Sequence, residues 1–297
     1  MEWMRIGELA ALGTALLWTL STLAWTAAGR HIGSLAVCFL RLIITCGLLA
    51  MYGRFVRGLW LPTDASSETW LLLGLSGFVG FFLADLCLFQ ALLLIGPRLT
   101  LLLQALAPPI TALTSWVFLH DTLGPKGWLG MAVTLGGVTW VVLERPGNAT
   151  ERQPQLRWGV LLGVLGAVGM AVGLVLSKRG LGDYDAVAAT FIRVLGAMIG
   201  YLGLITVAGR WTAMTVAARH GRAMIVVTFG SIVGPFVGVA LSLVAVRHCN
   251  AGVVATIIST MPVLVLPMVI VLYGEKVSFR AVYGAVLAVV GVAILAI

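Results

Sequence analysis

The sequence predicts an all-α polytopic membrane protein with ten transmembrane helices arranged as a 5+5 inverted repeat. Composition gives the first indication: 60% of the 297 residues are hydrophobic and only 10% are charged. A soluble domain carries about 25% charged residues. A soluble fold could not hide so much apolar surface, so lipid must be the solvent for most of the chain. Two further observations support this prediction: ten apolar segments and an internal repeat.

The ten segments are each long enough to cross a bilayer, which requires about 20 apolar residues. They lie near 6–28, 34–53, 69–95, 98–119, 125–143, 158–177, 186–208, 222–246, 251–273 and 279–297. Their length and lack of charge exclude a barrel, whose strands would alternate over about 10 residues. Five segments precede a polar stretch and five follow it. We therefore predict a first repeat at 1–143, a linker at 144–157 and a second repeat at 158–297.

The internal repeat is visible without a gap at a shift of 154 positions. At this shift residues 80–143 meet a second copy, in which Gly80 falls on Gly234 and Pro108 on Pro262. Because five is an odd number, each repeat enters on one face of the membrane and leaves on the other. The second repeat must therefore be inverted relative to the first, which is the basis of alternating access in secondary transporters.

The repeated segments resemble a known family. The C-terminal "TMPVLVLPMVIVLYGEKVSFRAVYGAVLAVVGVAIL" is similar to the end of an EamA domain, and "LAPPITALTSWVFLHDTLGPKGWLGMAVTLGGV" resembles the same element of a first EamA domain. In the first copy His120-Asp121 stands where the second has Gly-Glu. This resemblance to the drug/metabolite transporter superfamily implies export of amino acids or other small metabolites across a bacterial inner membrane.

The orientation of the chain is a point of conflict. With the N-terminus in the cytoplasm, the loops of that face hold seven lysines and arginines, whereas the opposite face holds ten. The positive-inside rule therefore favours an external N-terminus. The family resemblance implies the reverse, with both termini in the cytoplasm, and the two arguments leave the orientation open.

Three ionisable residues lie inside predicted spans, where a charge must face protein or water rather than lipid. Asp85 is in the third span, Arg41 in the second and Arg193 in the seventh. The segments "CFLRL" and "TFIRV" make the two arginines repeat equivalents at a register of 152. In the functional interpretation Asp85 binds a proton or a substrate amine and an arginine holds a carboxylate. In the structural one they form an ion pair or anchor helix ends.

Helical spacing places polar and aromatic residues on shared faces of several spans. The predicted cavity residues are Trp18, Ser21, Trp25, Phe78, Phe82, Asp85, Phe89, Gln104, Thr111, Ser231 and Ser259. Aromatic rings, hydroxyls and one amide suit a small amphiphilic solute. Helix packing, where small and hydroxyl residues are also enriched, is the alternative. Pro108 and Pro262 are predicted hinges, because proline frees carbonyls and bends a helix.

No cofactor, metal site or catalytic group is expected, since no motif for a phosphate loop, a metal or paired carboxylates occurs. Nucleic acid is excluded as a partner because the basic residues do not form a run or patch. The expected partners are a small organic substrate, membrane lipid and a coupling proton, and the expected assembly is a monomer or weak dimer. Two other classes stay open: a flippase for lipids or lipid-linked sugars, and an intramembrane enzyme.

Overall fold

A computed structural model describes residues 2–119, 124–142, 153–248, 254, 257–274 and 277–296. The helices are α1 Glu2–Ile32, α2 Ser34–Tyr52, α3 Ser67–Gly77, α4 Ala84–Gln104, α5 Ala107–Leu119, α6 Pro125–Val142, α7 Gln153–Leu181, α8 Ala186–Val207, α9 Trp211–Arg219, α10 Gly221–Ser231, α11 Val239–His248, α12 Met261–Tyr273 and α13 Phe279–Ala296. Segments of π-helix occupy Gly53–Arg57, Phe78–Leu83 and Ile232–Gly238. Most of the predicted linker, and the pair His120-Asp121, lie outside the described residues.

The described chain is helical and apolar enough to cross a membrane several times. Six helical stretches meet the length and hydropathy that a span requires, and two shorter apolar helices follow them. Large apolar side chains cover the outer surface, among them Leu71 and Ile199, each 70% exposed, and Val271 at 81%. Lipid is the solvent that accepts such a surface.

The third and fourth predicted spans form one helical stretch with a kink at Gly96. The backbone there has φ 77° and ψ 169°, a conformation that glycine adopts without the steric penalty of a Cβ. Pro97 follows directly and has no backbone N–H to continue the hydrogen-bond ladder. The helix is therefore kinked between the two spans, at the point where the apolar pattern predicts a boundary.

Helices α6 and α13, the last span of each repeat, pack against each other through glycines at repeat-equivalent positions. A Cβ on Gly291 would lie 2.8 Å from the carbonyl oxygen of Gly130, and one on Gly284 would lie 2.9 Å from that of Gly137. Gly130 is equivalent to Gly284, and Gly137 to Gly291. Gly291 thus contacts Gly130, and their repeat equivalents Gly137 and Gly284 contact each other in the same way. Such an exchange is the signature of a two-fold axis. The pairing runs antiparallel, so the repeats are inverted.

A second pair of contacts repeats the same exchange. The Ser21 hydroxyl on α1 donates to the carbonyl of Gly230 on α10 at 2.6 Å. The Ser76 hydroxyl on α3 donates to the carbonyl of Gly173 on α7, also at 2.6 Å. Ser21 and Gly173 are equivalent, as are Gly230 and Ser76, so donor and acceptor have changed places. The first helix of each repeat therefore packs on the third helix of the other.

The irregular segments also lie at repeat-equivalent positions. The π-helical stretches Phe78–Leu83 and Ile232–Gly238 begin 154 residues apart. The turn at 105–106 precedes α5, and its equivalent at 259–260 precedes α12. Each repeat therefore contributes one π-helical stretch and one short turn at equivalent positions.

Candidate functional site

A cavity of about 320 Å³ lies between helices of the two repeats. The lining consists of Trp18, Thr22, Trp25, Arg41, Phe81, Asp85, Leu88, Phe89, Leu92, Thr100, Leu101, Gln104, Ala105, Pro108, Met170, Ile258, Ser259, Met261 and Pro262. Asp85 is about 27 Å along the helix from Ser67 and about 16 Å from the kink at Gly96, at 1.5 Å per residue. The cavity is therefore well inside the span rather than at its end.

One wall of the cavity carries an ion pair. The guanidinium of Arg41 on α2 donates to the carboxylate of Asp85 on α4, and both residues are buried. The guanidinium also lies 4.8 Å from the ring centroids of Trp25 and Phe89. Buried charges require such a partner, because an isolated charge in an apolar medium is very costly. The aromatic faces add cation–π attraction. Arg41 is thereby held on the cavity wall rather than at a helix end.

Arg193, the repeat equivalent of Arg41, has different neighbours. Its guanidinium is 4.2 Å from the ring centroid of Phe81, which lines the cavity. Its Nε is buried and has no hydrogen-bond partner among the described residues. A Cβ on Gly77 would come within 1.8 Å of the Arg193 carbonyl oxygen. The close approach of α3 to α8 thus requires glycine at position 77 and fixes the backbone from which the Arg193 side chain extends.

The predicted face of α1 meets a row of glycines on the eighth span. Gly230, Gly234 and Gly238 are spaced four residues apart. A Cβ on Gly230 would be 2.7 Å from Trp25 Nε1, and one on Gly238 would be 3.2 Å from Trp18 Nε1. The missing side chains make room for both indoles, which lie between the glycines and the cavity. Ser21, by contrast, contacts Gly234 and donates to Gly230, so it packs helices together.

The remaining polar residues of the lining come from both repeats. The amide Nε2 of Gln104 donates to the Met170 sulfur at 3.5 Å, and both side chains line the cavity. Ser259 stands in the turn that precedes α12. Thr22 and Thr100 donate to carbonyls four residues earlier in their own helices, so their hydroxyls can only accept further hydrogen bonds. Pro108 and Pro262 line the cavity next to the two equivalent turns.

Several predicted cavity residues lie elsewhere in the structure. Phe78 and Phe82 pack on one another, and Phe82 packs on Tyr201, with ring centroids 5.0 and 4.9 Å apart. Ser231 is fully buried and donates to the carbonyl of Val227. Thr111 on α5 is outside the lining. The π-helical segment Phe78–Leu83 explains the first two, because its wider turn shifts the faces that α-helical spacing predicts.

The lining also contains residues that the sequence did not single out as cavity residues. They are Thr22, Phe81, Leu88, Leu92, Thr100, Leu101, Ala105, Met170, Ile258 and Met261. Most are apolar, and an apolar side chain in an apolar span gives no local signal of what it faces. Two of them had an indirect signal: Phe81 is in the aromatic run before Asp85, and Met170 is the repeat equivalent of Trp18.

Comparisons with known proteins agree on the fold. The model of the EamA-like transporter family matches the chain twice, over residues 5–143 and 157–297. No curated protein matches the sequence. A solved crystal structure, titled only as that of a protein, is similar over 97% of this chain and 95% of its own, with 18% identity and a TM-score of 0.64. At that identity the likeness concerns the fold alone.

Proposed function

Because the chain belongs to the EamA-like transporter family, we propose that it is a secondary transporter for amino acids or other small organic metabolites. It exports them across a bacterial inner membrane by alternating access. The single observation that supports this most is the cavity of about 320 Å³, which lies inside the span and is lined by both repeats. In inverted-repeat carriers the substrate site lies at the repeat interface, near the midplane.

The two turns beside the cavity support a hinge role for Pro108 and Pro262. Each proline is the second residue of a helix that begins directly after a turn, at Ala107 and at Met261. Helix breaks inside a membrane are tolerated only where the freed backbone groups meet protein or cavity water. We propose that α5 and α12 pivot at these equivalent points and so open the cavity to one face or the other.

The ion pair supports a coupling role for Asp85. Its carboxylate is on the cavity wall and bonded to Arg41. An intramembrane acid that reaches a cavity is a candidate proton or substrate site. The energy for export would come from the gradient of the solute or from protons that Asp85 binds. The cavity is lined by the residues of a single chain, so we propose a monomer or weak dimer.

Reconstitution of the purified protein tests this function. Proteoliposomes loaded with a mixture of unlabelled amino acids and metabolites should accumulate a labelled member of the mixture by counterflow, and empty liposomes should not. The same vesicles made with fluorescent lipid test the flippase alternative. Movement of lipid between leaflets without counterflow of any soluble solute would contradict the proposal.

A further inference from the structure

We infer that the preferred solute is a small apolar or aromatic organic anion, selected by an excess of positive charge around the cavity. This rests on the proposed transport function and names the charge class of its substrate. It separates anions from the zwitterionic amino acids that the same cavity would admit by size.

The first argument is the count of charges near the cavity. Arg41 and Asp85 neutralise one another in their ion pair. The guanidinium of Arg193 lies over Phe81 and is attracted by Asp85, but no hydrogen bond or ion pair joins it to a residue that the structure describes. Two arginines therefore share one carboxylate, which leaves one positive charge in excess beside the cavity. Excess charge in apolar surroundings is costly, and an anionic solute would offset it.

The second argument is that the described chain offers no other acid for Arg193. Asp185 caps the start of α8, Asp183 is in the turn before it, and Glu68 is in the first turn of α3. Asp64 pairs with Arg57 outside the spans. Glu2 is the first residue of α1, and Glu8 is exposed near its beginning. Within the described ranges Asp85 is thus the one acid well inside a span, and it already bonds to Arg41.

The third argument concerns the cost of binding a cation or an ammonium group. An ammonium that reaches the Asp85 carboxylate competes with Arg41, which is held there beside Trp25 and Phe89. It also adds a third positive charge to a region that holds two arginines and one acid. A carboxylate meets no such competition, because it offsets the excess of positive charge.

The rest of the lining suits an apolar body. Trp18, Phe81 and Phe89 supply aromatic surface, and leucines surround them. The Gln104 amide donates one N–H hydrogen to Met170 and has a second that can donate to a carboxylate, whereas the single hydrogens of the Thr22 and Thr100 hydroxyls already go to backbone carbonyls. A ring or a branched alkyl chain with one carboxylate matches this combination of walls and donors.

Three probes of one shape and different charge test the inference. They are 3-phenylpropanoate as the anion, L-phenylalanine as the zwitterion and 2-phenylethylamine as the cation. Binding to the purified protein is measured by calorimetry, and movement is measured in proteoliposomes with and without a membrane potential. We expect the anion to bind at least tenfold more tightly than either of the others, and its flux to respond to the potential because net charge crosses the membrane.

Variants of Arg193 identify the source of the preference. Arg193→Gln should reduce the affinity ratio of anion to zwitterion to within about threefold of one, because the excess charge is gone. Arg193→Lys should keep the preference, and Arg54→Gln, at an exposed arginine, is the matched control that should leave it unchanged. A folding defect alone would lower the binding of all probes together and would not change the ratio.

The outcomes separate this inference from the transport function. Equal or tighter binding of the zwitterion or cation overturns the anion preference, while counterflow of metabolites would still support a transporter. A preference for the anion that survives Arg193→Gln also overturns the inference, because another group would then be its source. Absence of binding by all three probes overturns the aromatic anion site, and the counterflow experiment decides the function separately.

Discussion

Arg41 and Arg193 occupy equivalent positions in the two repeats, but their surroundings differ. Arg41 bonds to Asp85 and lies on the cavity wall. Arg193 lies over Phe81, and the residue equivalent to Asp85 in its repeat is Val239. The two arginines therefore occupy equivalent positions, whereas only the first repeat has an acid at the position of Asp85. The helices of the two repeats are related by a two-fold axis, but their charged side chains are not. This difference gives the region around the cavity its positive charge.

The helix seams next to these arginines differ in the same way. On the Arg193 side α3 and α8 approach to backbone contact through Gly74, Gly77 and Gly196. The equivalent positions on the Arg41 side are Thr228, Ser231 and Ile44. Those larger residues exclude the same close approach between α10 and α2. The two equivalent seams therefore do not pack identically.

The largest effect is expected from breaking the Arg41–Asp85 pair. Arg41→Leu or Asp85→Leu alone leaves one buried charge without its partner, which costs about 3–5 kcal/mol. The double variant Arg41→Leu/Asp85→Leu should recover most of the lost stability but not transport. Thermal unfolding in detergent and counterflow in vesicles measure the two properties. A double variant that still transports would remove the pair from the mechanism.

A smaller effect is expected at the glycine seam. Gly77→Ala places a Cβ against the Arg193 carbonyl, so α3 and α8 must separate. Overpacking of this kind costs about 1–3 kcal/mol. Gly136→Ala is the matched control, because its Cβ would meet no atom within 4 Å. Similar thermal stability of the two variants would show that the seam is not tight in the membrane.

Trp18→Ala is expected to weaken solute binding without unfolding the protein. The indole lines the cavity and faces the glycine row of the eighth span. Its repeat equivalent, Met170, lines the cavity as well. Removing the larger ring should reduce ligand affinity by roughly tenfold, about 1.4 kcal/mol, and Met170→Ala by less. Equal ligand-induced shifts in unfolding temperature for Trp18→Ala and the parent would contradict this lining.

The smallest effect is expected from the exchanged hydrogen bonds. Ser21→Ala and Ser76→Ala each remove a hydroxyl that donates across the repeats at 2.6 Å. Each should cost about 1 kcal/mol, the usual net value of such a bond. Because the contacts are equivalent, the two losses should agree within a few tenths of a kcal/mol. A large difference between the two losses in free energy of unfolding, measured with denaturant, would show that the two equivalent contacts contribute unequally to stability.

The parts of the site that the sequence predicted are those with rare chemistry in an apolar background. Asp85 and Arg41 stand out because charge is costly inside a span, and Trp18 and Trp25 because their spacing on α1 is helical. Phe78 and Phe82 were placed on the same face as Asp85 by regular spacing. The structure separates them, since the π-helical turn between Phe78 and Leu83 changes the rotation of the helix.

Ser21 shows a different limit of the sequence. Helical spacing places it on the polar face of α1, but a hydroxyl on such a face serves either a cavity or a helix contact. Only the placement of Gly230 opposite it decides between them. Leu88 and Leu92 line the cavity with no sequence signal, because leucine is equally suited to lipid, core and cavity.

The amino-acid sequence by itself determined the membrane solvent, the repeat and the inversion, since these follow from hydropathy, periodicity and an odd number of spans. The break at Gly96 and the equivalent prolines were also fixed locally, by backbone conformations that few residues adopt. Only the tertiary structure decided which faces meet, which arginine pairs with Asp85 and which residues border open space. Those outcomes depend on how the helices of one repeat pack against those of the other, and side-chain spacing within one helix does not contain that information.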